Sequence, residues 1–496
     1  MTAPTPAEDR TYGMWVRPRR EGMFGMTWWS TVAVFTAVVL TLLVIVVAGT
    51  KAGLVVAGVA ALMLIPAVWQ TGGQSGYERG LIVAQWWRAV WKRENVYRAG
   101  VYSFLGSCRL PGLMAAARLQ EFISADGQPF GMVHFRDFDL YTVVLRAWPQ
   151  GARAVDQDMI NLWVASWGQL LASLGGQPDI EALWAVNDSV PETGNSLAAE
   201  AAYLTHPDAP EMARAVMDEL VDELPSDTVR QESWFSVTFR AATPERRKNP
   251  QEQAVEIGRR LPGIITALGE AGVKARPMDA SEVIALVRRA WDPASESDLE
   301  AAAERGEPHG ISWADAGPVS YEEHRGDLWH DGVTSVTWEM ELAPEGNVRE
   351  RVLQRLLEPS LEVPRKRVAL VYRPHSAGDA TQIVNDDFRD ALTAQNASRS
   401  NLGSAHTAVR IEAAEEARDE QARGHGVTRF AALITVTEPD NGRDVPSLEA
   451  ITKDLGLQSR LKIRRCYRYQ AAAFASGLGL GVLLPEMATI PRAVSA

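Results

Sequence analysis

The chain has 496 residues, 46% of them hydrophobic and 23% charged, a balance that excludes disordered and fibrous proteins. At about 100–200 residues per domain, that length calls for two or three domains with a real core. A formal net charge of −12 excludes a surface built throughout for nucleic acid.

Cys108 and Cys466 are too few for a disulfide framework, and neither has a second Cys or a His at zinc-ligand spacing. Seven Lys stand against forty-three Arg, which points to a GC-rich coding genome before it points to function.

Residues 1–26 form a basic arm carrying Arg10, Arg17, Arg19 and Arg20. Between Thr27 and Gly76 the single charged residue is Lys51. Trp28 to Ala48 and Ala52 to about Gln70 each supply the roughly 20 apolar residues of a bilayer span, with Gly49-Thr50-Lys51 as the turn. Trp28, Trp29 and Trp69 stand where an aromatic belt would rest at headgroup depth. The expectation is a two-helix transmembrane hairpin over 27–70. A signal peptide does not fit, because the run starts late, is too long and is followed by a second run. A buried hairpin of a soluble protein is the weaker alternative. Arg79, Arg88, Lys92, Arg93 and Arg98 follow the hairpin, so the positive-inside rule places both termini in the cytoplasm and the protein in the cytoplasmic membrane.

Residues 71–100 contain a segment, Gly80 to Tyr97, that reads as an amphipathic juxtamembrane helix. Leu81, Ala84, Trp87, Val90 and Trp91 fall near one face, and Arg88, Lys92 and Arg93 are placed to meet anionic headgroups. With Trp86 and the arm's Arg17, Arg19 and Arg20 they form the expected membrane interface. The alternative is an ordinary helix packed on the body.

The remaining chain divides into α/β regions at 101–230 and 231–496. Alternating or β-branched runs predict strands over 130–138, 139–148, 180–187, 233–241, 273–278, 332–343, 366–373, 427–437 and 462–467. Apolar periodicity predicts helices over 156–174, 210–224, 251–271 (with Pro262 as a breaker), 280–291, 348–357 and 447–457, and helical structure over most of 379–423. Pro293 to Gly317 is acidic and aperiodic and reads as a linker or loop. This strand–helix rhythm matches a split βαβ, ferredoxin-like body. The fold class expected is therefore an α/β membrane protein.

No Lys is preceded by Gly, so the phosphate-cradling loop of nucleotide motors is excluded. Gly477-Leu478-Gly479-Leu480-Gly481 does not complete G-x-G-x-x-G, because position 482 is Val. Glu323-His324 with His330-Asp331 is the sole histidine cluster, and Gly326 argues against one helix carrying both His. Ser75 lacks the final Gly of G-x-S-x-G. No catalytic residue, metal ligand or cofactor is assigned, and the chain is read as a non-enzyme. Arg460, Arg464, Arg465 and Arg468 with Tyr467 and Tyr469 form a local basic, aromatic strand able to contact phosphate and stack bases. Packing of that strand against an acidic helix is the alternative.

The arm Thr11-Tyr12-Gly13-Met14-Trp15 with Arg17-Pro18-Arg19, the apolar hairpin and the long α/β body together resemble an actinobacterial membrane-protein family associated with conjugative elements and type IV secretion-like systems. The hairpin is similar to the PrgI-like two-helix subunit of those machines. The body is similar to the non-motor amino-terminal region of the conjugation ATPase, and Phe474 to Gly481 to the apolar stretch before its motor domain. The resemblance implies a non-enzymatic assembly component that docks a motor ATPase and other subunits, including further copies of itself. A nucleic-acid-contacting adaptor through Arg464, Arg465, Tyr467 and Arg468, or an enzyme without a linear motif, are the alternatives.

Overall fold

A computed structural model describes residue 12 and residues 28–487, apart from 69, 72–73, 101–102, 104–108, 152–154, 207, 224–227, 345–347, 398–404, 425 and 440–444. The described residues fall into two compact units, one holding residue 12 and 96–484 and the other 28–95 and 485–487.

In the smaller unit α1 (Trp28–Ala48) and α2 (Thr50–Val68) form a helical hairpin. They turn at Gly49, whose φ of 87° lies where side chains are disfavoured. A two-residue ribbon, β1 (Gln70–Thr71) with β2 (Gln74–Ser75), leads into α3 (Gly76–Lys92). The expected pair of membrane spans is corrected here. Among the described residues no helix is long and apolar enough to cross a membrane. The membrane fold class, the two-span localisation and the orientation derived from them are withdrawn.

The larger unit is built on a 13-stranded sheet in which every neighbouring pair is antiparallel. After the edge strand β3 (Val96–Arg98), the chain runs through one set of elements twice. The first repeat is β4 (Ala117–Ile123), β5 (Pro129–Phe135), β6 (Leu140–Pro149), α4 (Gln157–Gly175), β7 (Ile180–Pro191), α5 (Asn195–Leu204), α6 (Glu211–Glu223), β8 (Val229–Arg240), α7 (Pro244–Lys248), α8 (Pro250–Glu270) and β9 (Val273–Pro277). Two connecting helices follow, α9 (Ala280–Trp291) and α10 (Glu296–Glu304). The second repeat is β10 (Ser320–Glu323), β11 (Leu328–His330), β12 (Val333–Leu342), α11 (Gln354–Leu357), β13 (Lys366–Pro374), α12 (Ala377–Ala397), α13 (Ala405–Ala422), β14 (Thr428–Pro439), α14 (Val445–Gln458) and β15 (Lys462–Arg465). The chain then closes with α15 (Gln470–Gly477) and α16 (Leu484–Met487).

Each repeat is a hairpin followed by a split βαβ unit. The strand orders are β9-β6-β8-β7 and β15-β12-β14-β13, so the same positional strand lies at the inner edge of both. Those two strands pair antiparallel from Lys366 opposite Ser189 to Tyr372 opposite Leu183, fusing the repeats into one sheet with an approximate two-fold relation. Position 230 lies inside β8, so a division at 230/231 cuts the first repeat rather than separating the two.

Residues opposite one another in register share a face. On one face Tyr141, Val143, Leu145, Leu183, Phe235 and Val237 pack under α4 and α8, and Tyr372 joins them from the second repeat. On that face the second repeat places Val336, Trp338 and Val436 against Leu448 of α14, and Val368 and Ile434 against Leu356 of α11. Pro262 sits inside α8 without ending it. The carbonyl its missing N–H would have bonded, that of Gly258, accepts the amide of Ala125 instead, at 3.1 Å. The capping box of Asp279 and Glu282 fixes the start of α9.

On the opposite face hydroxyls pair across strands, Thr142 with Thr238 and Thr337 with Thr435, each at 3.0 Å. Residues 470–483 lie over them. The Gln470 side chain brackets Thr337, accepting its N–H at 2.8 Å and donating to its carbonyl at 3.1 Å. The Trp234 indole donates to Leu478 O at 3.0 Å. The glycines of this segment serve close approach to the sheet. At Gly479 a Cβ would stand 2.8 Å from Val186, and at Gly481 it would collide with the Thr142 hydroxyl. Both residues have positive φ.

Two local expectations change. The linker read over 293–317 contains α10, which buries Leu299 and Ala302 with Glu296. The helix read over 348–357 shortens to α11 behind a 3₁₀ turn at Glu350–Leu353. Glu323 and His330 of the histidine cluster lie on the β10–β11 hairpin, not on a helix.

Candidate functional site

Charged side chains on the inner strands converge where the repeats meet. Arg230 of β8 reaches Glu296 at 2.6 Å, Glu232 at 3.3 Å and Glu192 at 3.7 Å, and also pairs with Glu300. Arg289 of α9 meets Glu232 at 2.5 Å and Glu296 at 3.3 Å. From the second repeat, Arg367 pairs with Asp188 at 2.8 Å, and Arg365 donates to Arg289 O at 2.6 Å. Burial alone would raise the Glu232 carboxyl, but Arg289 and Arg230 offset it and hold the group below its ordinary range. Burial lowers the pKa of the Arg365 guanidinium, and the nearby Arg367 and Arg289 push it the same way. The Arg367 guanidinium also lies 5.9 Å over the Trp234 ring and 5.7 Å over Phe474. Each cation is matched by carboxylates or carbonyls of this chain, so the cluster is a latch between the repeats.

A second buried chain of polar groups runs from Trp291 O through His330 to Ser335, 2.7 Å from the imidazole, and on to Thr437 at 2.7 Å. A Ser beside a His has the chemistry of an activated nucleophile. Here His330 is 2% and Ser335 1% exposed, with the Trp291 and Phe474 rings against the imidazole, so no substrate reaches them. Burial lowers the His330 pKa to about 4 and keeps the ring neutral. Its partner in the sequence cluster, His324, contacts Asp327 at 2.8 Å and Glu322 at 3.4 Å. Among the described residues no group of three His, Cys, Asp or Glu is placed to hold a metal ion.

The basic strand is occupied internally. Arg464 pairs with Glu339, which also accepts the Tyr469 hydroxyl at 2.8 Å. Arg465 donates to Gly326 O at 2.6 Å and to Glu449 at 3.0 Å. Tyr467 is 40% exposed and lies under Arg325 and Arg465, and the Arg468 amide bonds Arg325 O. Of the interface residues, Lys51 is exposed in the first turn of α2. Trp87 and Trp91 stand exposed on α3 with Lys92, and Arg93 follows at a positive φ of 57°. Trp86 is half-buried, its ring edge-on to Trp87. Trp28 and Trp29 open α1, whereas Arg17, Arg19, Arg20 and Trp69 lie outside the described residues.

The two repeats differ most in the helices inserted between the second and third strands of their split βαβ units, β7–β8 and β13–β14. In the second repeat α12 and α13 close on one another: Ala380, Val384, Ala391 and Ala414 are buried, and Arg418 stacks 4.3 Å over Phe388. In the first, α5 is tied at its start to α10 by Asn195 donating to Ser297 O at 2.9 Å. Beyond that tie the surface is open. Every residue of α6 from Glu211 to Leu220 is exposed, among them Met212 (81%), Val216, Met217 and Leu220, and Tyr203 and Leu204 are exposed at the end of α5. The sequence signals a helix over 210–224, but not that its apolar stripe stays uncovered.

A family described as a domain of unknown function (DUF8461) matches residues 19–78, which hold α1, α2 and the first residues of α3. No curated protein matches the chain.

Proposed function

We propose that this chain is a non-enzymatic assembly component that docks another protein. The setting implied by its resemblance is a conjugative or type IV secretion-like transfer system with a motor ATPase as partner. The observation that carries the reading is a contrast. Among the described residues the charged and His–Ser clusters of the larger unit are buried or paired within the chain, while six of its exposed large apolar side chains stand together on α5 and α6. Exposed apolar patches of this kind are characteristic of interaction surfaces. The membrane hairpin forms no part of this reading. A nucleic-acid role for Arg464 and Arg465 is disfavoured, because Glu339, Glu449 and the Gly326 carbonyl already engage their guanidinium groups.

The test is affinity capture of the tagged full chain from its own host, with mass spectrometry of bound proteins, beside a transfer assay in a strain lacking the gene. Recovery of a motor ATPase or other transfer-apparatus subunits, with transfer lost in the deletion, is the expected result. Recovery of the chain alone with transfer unchanged would overturn the reading.

A further inference from the structure

The two repeats also differ in what covers the last helix of each split βαβ unit. Leu261, Ile264 and Leu268 of α8 recur as Leu448, Ile451 and Leu455 of α14, the same residue types at i, i+3 and i+7. The strands that follow match as well: Ala275 stands opposite Ala147 and Lys462 opposite Leu342, each seven residues beyond the last leucine of its ridge. In the first repeat α4, 19 residues long, packs against α8, and the three ridge side chains are 0%, 6% and 0% exposed. In the second repeat the connection from β12 to β13 carries only α11, 4 residues long, in the place of α4. Leu448 is still buried, but Ile451 and Leu455 are half-buried. With Pro359 they line a cleft of about 490 Å³ between α14 and residues 355–362.

Resting on the docking reading above, we propose that this cleft seats an amphipathic helix of a partner protein with basic residues along its flank. The first repeat shows what covers a Leu-Ile-Leu ridge in this fold, a helix laid beside it on the same face of the sheet. Charge on the cleft decides the flank. Glu358, Glu362 and Asp454 line it against a single guanidinium, that of Arg355. The Lys366 ammonium is buried and directed to the Glu358 carbonyl at 2.8 Å. Glu362 and Asp454 are exposed, and Asp454, which accepts from the neutral Gln458 amide at 2.6 Å, adjoins Leu455 on α14. A Lys or Arg next to the apolar residues of the incoming helix meets these carboxylates at the edge of the apolar floor. A second copy offering its own α4 would bring Asp158 and no Lys or Arg, so a foreign helix is the better match.

The test is binding of a labelled peptide carrying the apolar face of α4 to the full chain. One version bears lysines at the positions flanking that face and the other bears glutamates. The lysine peptide is expected to bind about tenfold more tightly than the glutamate peptide, a gap that narrows as salt screens the rim. The variant Glu362→Lys, Asp454→Lys changes two exposed side chains and is expected to invert that preference with its circular dichroism unchanged. Ala450→Trp, also at an exposed position lining the cleft, is expected to weaken the lysine peptide about tenfold by filling the space. No binding of the lysine peptide, equal binding of the two peptides, a preference that the charge-reversed variant keeps, or a concentration-dependent dimer that either variant abolishes would overturn the assignment. If it fails while the native chain still captures transfer subunits from the host, the cleft is the wrong seat and docking stands. A native chain recovered alone brings down the docking reading itself.

Discussion

The two inserted helix pairs occupy the same place in the repeat and solve the same problem in opposite ways. In the second repeat α12 and α13 cover each other, with small residues (Ala380, Ala391, Ala414) at buried positions where helices approach closely. In the first, α6 carries larger apolar residues and leaves them in water. A helix with one apolar face normally gains its stability by burying that face. Two copies of one architecture thus hold a closed structural pair and an open pair suited to another chain. The strands beneath them do not differ in this way, since both repeats pack their cores on the same face of one sheet.

The comparison is broken most severely at the seam that lets the repeats share a sheet. Arg367→Met leaves Asp188 buried without its hydrogen-bonded cation and should cost about 3–5 kcal/mol in chemical denaturation. The same experiment sharpens the pH dependence. His330 is neutral in the fold, with a pKa of about 4 against an ordinary 6.5. The unfolded chain therefore binds the extra proton between those values. Stability from this group is full above about pH 6.5 and is lost as pH falls toward about 4, on the order of 3 kcal/mol in all. His330→Gln should flatten that limb of a stability–pH curve. An unchanged curve would show that other groups set it.

The next pair of changes addresses the insertions directly. Ala391→Asp places a carboxylate at a buried position of α12 and should cost roughly 3 kcal/mol, read as a lower midpoint of thermal unfolding. The equivalent chemistry on α6, Met212→Asp, should shift stability by no more than about 0.5 kcal/mol, because that side chain is already in water. A large loss from the α6 variant would mean that the stripe is covered within the protein and the contrast is false.

Much of the body is legible from local pattern. The alternation of Val333–Leu342 and Thr428–Pro439 marks strands β12 and β14, and the period of Ala280–Trp291 marks α9, because those signals follow from one face being buried. β4 is not legible. Its sequence, ARLQEFI, is an edge strand with several exposed positions and carries no strong alternation. β10 and β11 are too short to show a period. The acidic α10 reads as a linker because its burial rests on Arg230 and Arg365, distant in sequence from Glu296. The Gly477–Gly481 motif invites a phosphate reading, but those glycines answer to Val186 and Thr142 on strands more than two hundred residues away. The apolar character of 28–68 is plain and does form helices, while a bilayer crossing does not follow from it. At the candidate site the helix α6 is legible, whereas its exposure depends on what the rest of the chain leaves uncovered.

The most direct measurement of the central claim is quantitative capture of partners from the host by the native chain and by the Met212→Asp, Val216→Asp, Leu220→Asp variant, side by side. A docking role for the open insertion predicts that transfer-apparatus subunits bind the native chain and are lost from the variant, with both proteins equally folded. Equal recovery by the two chains would contradict it.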